Sequence, residues 1–195
     1  MTGVIILAAG SSSRLGKPKQ NLIFQGQTLL QRAVQNALAS VCESVIVVLG
    51  GNAEIIQPTI ADQPVSVVYN PSWAEGMGSS IRLGITEIQK MAPNITSAIL
   101  MLCDQPFADS TIINQLIQKR TSTNKTIIAS TYDGITGSPA LFDRLHFDEL
   151  LKITGNTGAK KLLVKHVNEL ALIPFLLGAI DIDTVRDYER LEEGF

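Results

Sequence analysis

Short β-branched runs separated by amphipathic stretches of helical period restrict this 195-residue chain more than any other feature. Val4–Leu7, Ser44–Leu49, Val65–Tyr69, Ala98–Leu102 and Thr126–Ser130 read as buried strands, being apolar on both faces. Between them, Leu29–Ala39, Ala53–Ile60, Ser79–Met91 and Ser110–Arg120 carry apolar residues at helical spacing, with Asp109 or Ser110 placed to cap the last. A strand, a helix and a second strand in succession require a crossover, so the strands run parallel and helices cover both faces. The pattern predicts an α/β fold, Rossmann-like, with three α/β/α layers around a mostly parallel sheet.

The alternation breaks after Thr131. "GSPALF" centres on Pro139 and suits an edge or short antiparallel strand, near residues 139–142, better than a central one. Asp143–Lys152 and Gly158–His166 then read as helices joined by the turn "TGNTG", and Glu169–Leu177 as a further strand. "DIDT" leads into a last helix, Val185–Glu193, with Asp183 or Thr184 as its cap. No repeat, low-complexity tract or linker interrupts the chain, so residues 1–195 are expected to form one domain.

With 45% hydrophobic and 17% charged residues the chain has ample material for a core. A net charge of −2 gives no global field for nucleic acid, although it leaves room for a local anion pocket. Cys42 and Cys103 sit in apolar surroundings and indicate reduced thiols rather than a disulfide framework. The run Val4–Ala9 lacks a basic flank, and no run approaches the roughly 20 residues of a membrane span. A cytoplasmic protein without membrane or nucleic-acid partners is expected.

In open α/β sheets ligands bind beyond the carboxyl ends of strands, where strand order reverses. The first such loop is "LAAGSSSRLGKPK", Leu7–Lys19. Gly10, Ser11, Ser12 and Ser13 let the backbone approach a ligand and offer consecutive N–H groups to an anion. Arg14 adds a planar fork of donors, Lys17 and Lys19 add point charges, and Gly16 permits a bend that turns Lys19 back over the site. Together these suit a polyphosphate. The loop is neither a Walker A loop nor a dinucleotide fingerprint, because the required glycine and lysine spacings are absent.

In "LMLCDQPF", Leu100–Phe107, a buried strand ends at Asp104. Mg²⁺ commonly takes one or two protein carboxylates and completes its sphere with phosphate and water. Asp104 suits that role, or that of a turn former before Pro106, and Asp181 or Asp183 would be the second carboxylate. In "NPSWAEGMGSSIRLGI", Asn70–Ile85, Gly78, Ser79 and Ser80 open a helix whose N-terminus could read polar groups of a base or ribose. Trp73 is a pocket wall or a loop anchor. Cys103 is expected to point into the core. His146 and His166 have no partner at metal or catalytic spacing and read as ordinary helix residues.

The set and order of "LAAGSSSRLGKPK", "NPSWAEGMGSSIRLGI", "LCDQP", "YDGITGSPALF", "GNTGAKKLL" and "DIDT" resemble the small MobA-like nucleotidyltransferases, and within them the molybdenum cofactor cytidylyltransferases. The resemblance covers Leu7 to about Leu191. It implies that the phosphate of molybdopterin cofactor attacks the α-phosphorus of CTP, or another NTP, and releases pyrophosphate with Mg²⁺ as cofactor. Catalytic roles then fall to Lys19, Arg14 and Asp104. Gly10–Ser13 and Arg14 would hold the β- and γ-phosphates, and Lys19 would neutralise charge at the α-phosphate. Asp104 with Asp183 (or Asp181) would hold the metal, while Leu7, Ala8, Ala9 and Gly78–Ser80 would contact the nucleotide. The acceptor side is expected near Trp73, Pro139 and Asn156.

"AAG" at residues 8–10 resembles the CTP-using members rather than the "AGG" of GTP-using ones, and a methyl at Ala9 narrows the pocket toward a pyrimidine. Two departures stand out. Leu15 replaces a frequent Met, a swap that conserves volume. Asn156 replaces the Asp of the usual "GDxGA", which leaves the acceptor open. The alternatives are a guanylyltransferase on the same or another small phosphorylated acceptor, or a carrier delivering molybdenum cofactor to a hydroxylase apoenzyme.

Overall fold

The computed structural model describes residues 1–194; Phe195, the last residue of the expected domain, lies outside the described residues. The elements run β1 (Thr2–Ala8), β2 (Ile23–Phe24), β3 (Gln27–Thr28), α1 (Leu29–Leu38), β4 (Ser44–Leu49), α2 (Ala53–Ile56), β5 (Ser66–Tyr69) and α3 (Met77–Met91). They continue with β6 (Ser97–Leu102), α4 (Ser110–Ser122), β7 (Ile127–Tyr132), β8 (Ile135–Asp143), α5 (Phe147–Leu150), α6 (Lys160–Lys165), β9 (Leu170–Pro174) and α7 (Val185–Glu193).

A seven-stranded sheet in the order β5-β4-β1-β6-β8-β7-β9 forms the middle layer. Every neighbouring pair is parallel except those of β8, which runs against both β6 and β7. The strands are apolar on both faces because both are covered. Val4, Ile6 and Ala8 pack toward α1 and α4, while Ile5, Leu7 and Ala9 pack toward α3 and the short C-terminal helices. Gly84 seats α3 on the sheet, since a Cβ there would lie 2.5 Å from the Ile5 side chain. The mostly parallel three-layer α/β/α fold is thus as the periodicity predicts.

Three local readings change. The proline-centred strand is antiparallel, but it lies inside the sheet and not at an edge. It is tolerated there because the pairing jumps from Ala129↔Ala140 to Ser130↔Gly137, so Pro139 sits at a bulge, and the ladder to β6 ends at Ala140. The helices expected over 53–60 and 143–152 are each divided between an α turn and a 3₁₀ turn, Gln57–Ile60 following α2 and Arg144–His146 preceding α5. The β2–β3 hairpin is additional. Its two-residue turn places Gln25 and Gly26 at φ +52° and +80°, as a type I′ hairpin demands.

Helix starts follow side-chain chemistry. Thr28 and Gln31 form a reciprocal capping box on α1, and Thr184 and Asp187 do the same on α7. Asp109, not Ser110, caps α4 by accepting from Ile112 N–H at 3.0 Å. No helix among the described residues is long and apolar enough to cross a membrane.

Candidate active site

Strand order reverses at β1: the chain moves from β1 to β4 and β5 on one side, then returns to β6 on the other. The crevice beyond the carboxyl ends of β1 and β6 opens into a cavity of about 420 Å³ on the α3 side of the sheet. Leu7, Ala9 and Leu102 form its base, Gly10–Leu15 and Lys19 one wall, and Trp73, Ala74, Gly76, Met77 and Ser80 the other. Asp104, Asn156 and Asp183 also line it.

The first wall is held by Gln20, which the sequence reading did not single out. Its side chain is wholly buried. Nε2 donates to the carbonyls of Ala8 (2.8 Å) and Gly10 (3.0 Å), and Oε1 accepts from Ser12 Oγ at 3.3 Å. Ser12, at φ +56°, returns the loop by accepting from the Lys19 N–H at 3.0 Å. Leu15 anchors the same loop against Leu22, Leu29, Ile182 and Leu191. These contacts place Lys19 over the strand ends. The signal available was a glutamine directly after the lysine in "KPKQN", a polar side chain beside a buried turn.

Lys19 Nζ lies 2.5 Å from Asp104 Oδ2 and 2.8 Å from Asp183 Oδ1, and Arg14 Nη2 lies 2.7 Å from Asp183 Oδ2. Burial alone would lower the Lys19 pKa, but the Asp104 charge and the hydrogen bonds to both carboxylates outweigh it and raise it. Burial likewise favours a protonated Asp183, yet the bonds and charges of Lys19 and Arg14 hold its carboxyl below the usual value. Asp183 is free for this role because Thr184 provides the cap of α7.

Asp181 does not line the cavity. It is exposed, and the lost hydration of its carboxyl with the charges of Asp104 and Asp183 pushes that carboxyl up. Of the two aspartates offered by "DIDT", Asp183 is therefore the one beside Lys19. The Cys103 thiol is fully buried and pushed up to about 12 by that burial, so it stays a core residue as expected.

Other expected contacts are absorbed within the protein. Ala8 faces the α1 and α4 core, and its carbonyl is held by Gln20. The Gly78 N–H donates to Gly155 O at 2.9 Å, and a Cβ at Gly78 would meet the backbone of Ile153 and Thr154. Ser79 Oγ donates to Gly76 O and accepts from Asn70 Nδ2, each at 2.8 Å. Of the Gly78–Ser80 turn only Ser80 reaches the cavity, and the residues before it, Ala74, Gly76 and Met77, complete that wall. Pro139 is buried in β8, where its carbonyl accepts from Ser130 Oγ at 2.8 Å, and it lines no part of this cavity.

Trp73 stands between the cavity and a neighbouring groove along Gly50–Asn52 and Tyr69. Gly50 is needed there, since a Cβ would fall 2.5 Å from Trp73 Cβ and 2.8 Å from Ala9 Cβ. Asn156 is brought in by close packing of its loop on Gly76, whose φ of +105° only glycine adopts easily.

The residues fit a divalent cation with oxygen ligands. Two carboxylates converge on one point, which the Lys19 ammonium bridges, and Asp104 Oδ1 is buried with no hydrogen-bond partner among the described residues. Away from this site, His146 and His166 are not the unconnected residues the sequence implied. Their rings meet edge to face with centroids 4.8 Å apart, beside Glu149 and Glu169.

A three-layer α/β sheet with a cationic loop and paired carboxylates at its switch point defines the class of proteins that bind and divide nucleoside triphosphates. The chain belongs to the MobA-like NTP transferase domain family, whose model matches residues 4–170. It is 30% identical to nicotine blue oxidoreductase of Paenarthrobacter nicotinovorans, over 98% of this chain and 96% of that one. It is 26% identical to molybdenum cofactor cytidylyltransferase of Escherichia coli K12, over 98% and 95%. Among solved structures, Rv0371c of Mycobacterium tuberculosis superposes with a TM-score of 0.86 at 28% identity, covering 99% of this chain and 98% of that one. The same mycobacterial protein in complex with manganese superposes at 0.82, with 27% identity and coverage of 100% and 98%.

Proposed function

We propose that this MobA-like nucleotidyltransferase transfers CMP from CTP to the phosphate of a molybdopterin-type cofactor, with Mg²⁺ as its metal and pyrophosphate as the leaving product. The observation that carries the reading is Lys19 held between Asp104 and Asp183 at the mouth of β1 and β6, beside a serine-rich loop.

The Gly10–Ser13 backbone and Arg14 hold the β- and γ-phosphates. Lys19 turns from the carboxylates to the α-phosphate, where it offsets the negative charge that grows as the acceptor phosphate attacks. Asp104 and Asp183 would hold the metal, which would neutralise phosphate charge. Ala9 and Ser80 border the base, with the Ala9 methyl favouring a pyrimidine. Trp73 and Asn156 face the acceptor. Positioning and charge stabilisation suffice, and no covalent intermediate with the protein is needed.

A second reading, redox chemistry on a compound such as nicotine blue, is favoured by the relative of that name. Against it, the first loop lacks the glycine spacing of a dinucleotide fingerprint. One assay separates the readings: pyrophosphate release from each of the four NTPs with molybdopterin cofactor, beside consumption of a reduced nicotinamide cofactor with nicotine blue. Turnover of CTP alone is expected. Turnover of GTP in its place overturns the choice of base, and cofactor binding without NTP turnover makes the chain a carrier. Nicotinamide consumption without pyrophosphate release overturns the transferase reading.

A further inference from the structure

The histidine pair lies at the opposite edge of the sheet from the cavity. Thr126 and Glu169 precede the parallel strands β7 and β9, and His146 follows the end of antiparallel β8, so all three sit at the amino edge. Glu149 on α5 and His166 at the end of α6 close the group. One donor atom from each of His146, Glu149 and His166 lies within 4.8 Å of the others.

The hydrogen bonds assign a role to each atom. Thr126 has one hydroxyl proton, which it donates to Glu169 Oε2 at 2.8 Å. Its oxygen therefore accepts from His146 Nε2–H, also at 2.8 Å. That fixes the tautomer and leaves His146 Nδ1 as a lone pair, without a hydrogen-bond partner among the described residues. His146 is only 3% exposed, and burial disfavours its charged form. Glu169 Oε1 also faces His166 Nδ1 at 3.1 Å, so one carboxylate orients both imidazoles. His166 Nε2 then faces Glu149 Oε1 at 2.9 Å, while Lys165 occupies the other Glu149 oxygen at 2.6 Å.

Two imidazole nitrogens and a carboxylate oxygen, backed by a carboxylate that holds one far ring nitrogen directly and the other through Thr126, are the donors and outer partners that zinc-type ions take. We propose that His146, His166 and Glu149 form a binding site for a transition-metal dication, zinc being the probe, with Glu169 and Thr126 orienting the imidazoles. Bonds of about 2.0–2.2 Å put donor pairs of a tetrahedral site roughly 3.4 Å apart. A pair at the 4.8 Å limit therefore closes by about 1.4 Å on binding. Glu149 lies on the one-turn α5 and His166 caps the short α6, so the movement is local. The ligands bracket the segment that carries Gly155 and Asn156 onto α3, and the ion would staple both ends of it.

The site stands or falls independently of the transferase reading. The test titrates the full chain with zinc, and separately with cobalt, in excess Mg²⁺, counting retained metal after gel filtration and following Tm. The expected result is one equivalent of zinc, a higher Tm, and the visible absorption of tetrahedral cobalt. His166→Gln and Glu149→Gln each weaken zinc binding at least tenfold, and Glu169→Gln weakens it about 10- to 100-fold by loosening both rings. Asp104→Asn, at the other edge, leaves it unchanged. Failure of the parental chain to retain zinc overturns the proposal. So does retention by His166→Gln and Glu149→Gln with loss in Asp104→Asn, which puts the ion in the cavity instead.

Discussion

The two edges of the sheet each gather charged groups, and the two gatherings are built differently. At the carboxyl edge, Lys19, Arg14, Asp104 and Asp183 stand on loops around an open cavity of about 420 Å³. Under the proposed function, they partner one another until a phosphate competes for them. At the amino edge, His146, His166, Glu149, Glu169 and Thr126 close a knot in which one imidazole is almost wholly buried. The first arrangement keeps its cations tied yet exchangeable beside empty space, as catalysis of phosphoryl transfer requires. The second fixes ring tautomers, as a small metal ion requires. Similar ingredients are thus arranged differently according to whether a cavity adjoins them.

The strongest way to break this contrast is Lys19→Ala. Nucleotidyl transfer is expected to fall about 10²–10³-fold, since the growing charge loses its counter-ion, while zinc retention is untouched. A variant that transfers at the parental rate removes Lys19 from the chemistry. Gln20→Ala comes next. Two loop carbonyls lose their buried donor, so urea unfolding should register a loss of about 1–3 kcal/mol, with turnover lower because the first wall slackens. Unchanged stability would mean that water or a neighbour replaces the amide.

The pH dependence separates the edges. His146 has a folded pKa below its ordinary 6.5, so the unfolded chain takes the proton first and stability declines as pH falls below about 6.5. Asp183 has a folded pKa below 3.8, so its stabilisation is complete above that value and is lost only as pH falls through the lower folded one. In urea melts across this range, His146→Gln should flatten the slope just below pH 6.5. Lys19→Met should change only the acid limb. A common change in both windows would deny that the edges titrate separately.

The smallest effect is expected at Arg14, whose side chain is 68% exposed. Arg14→Gln should alter stability by no more than about 0.5 kcal/mol, and its mark should be a raised KM for nucleotide that shrinks with added salt.

Much of the carboxyl edge was legible because parallel strands end where their apolar runs end. Asp104 follows Leu102 and Cys103 directly, and the serine-rich loop follows Val4–Ala8, so both had to project at one edge. Gln20 was missed because "KPKQN" shows a polar residue beside a turn but not that its amide reaches the Ala8 and Gly10 carbonyls. Gly78 and Ser79 fall outside the cavity, because a helix N-terminus looks the same whether a ligand or the protein takes its N–H groups, here Gly155 O from Gly78 and Gly76 O from Ser79. The interior position of β8 was hidden by Pro139, which reads as an edge signal until the bulge at Ala129/Ser130 is seen.

By itself the sequence determined the alternation of buried strands and amphipathic helices, and hence a mostly parallel sheet with a serine-rich, cationic loop at its switch point. Strand period, helix period and turn chemistry are local properties, so they survive in one dimension. Only the tertiary structure chose Asp183 over Asp181, set Lys19 between two carboxylates far away in sequence, and joined His146 to His166. Those are contacts between distant segments, and their geometry depends on how elements pack rather than on what each prefers alone.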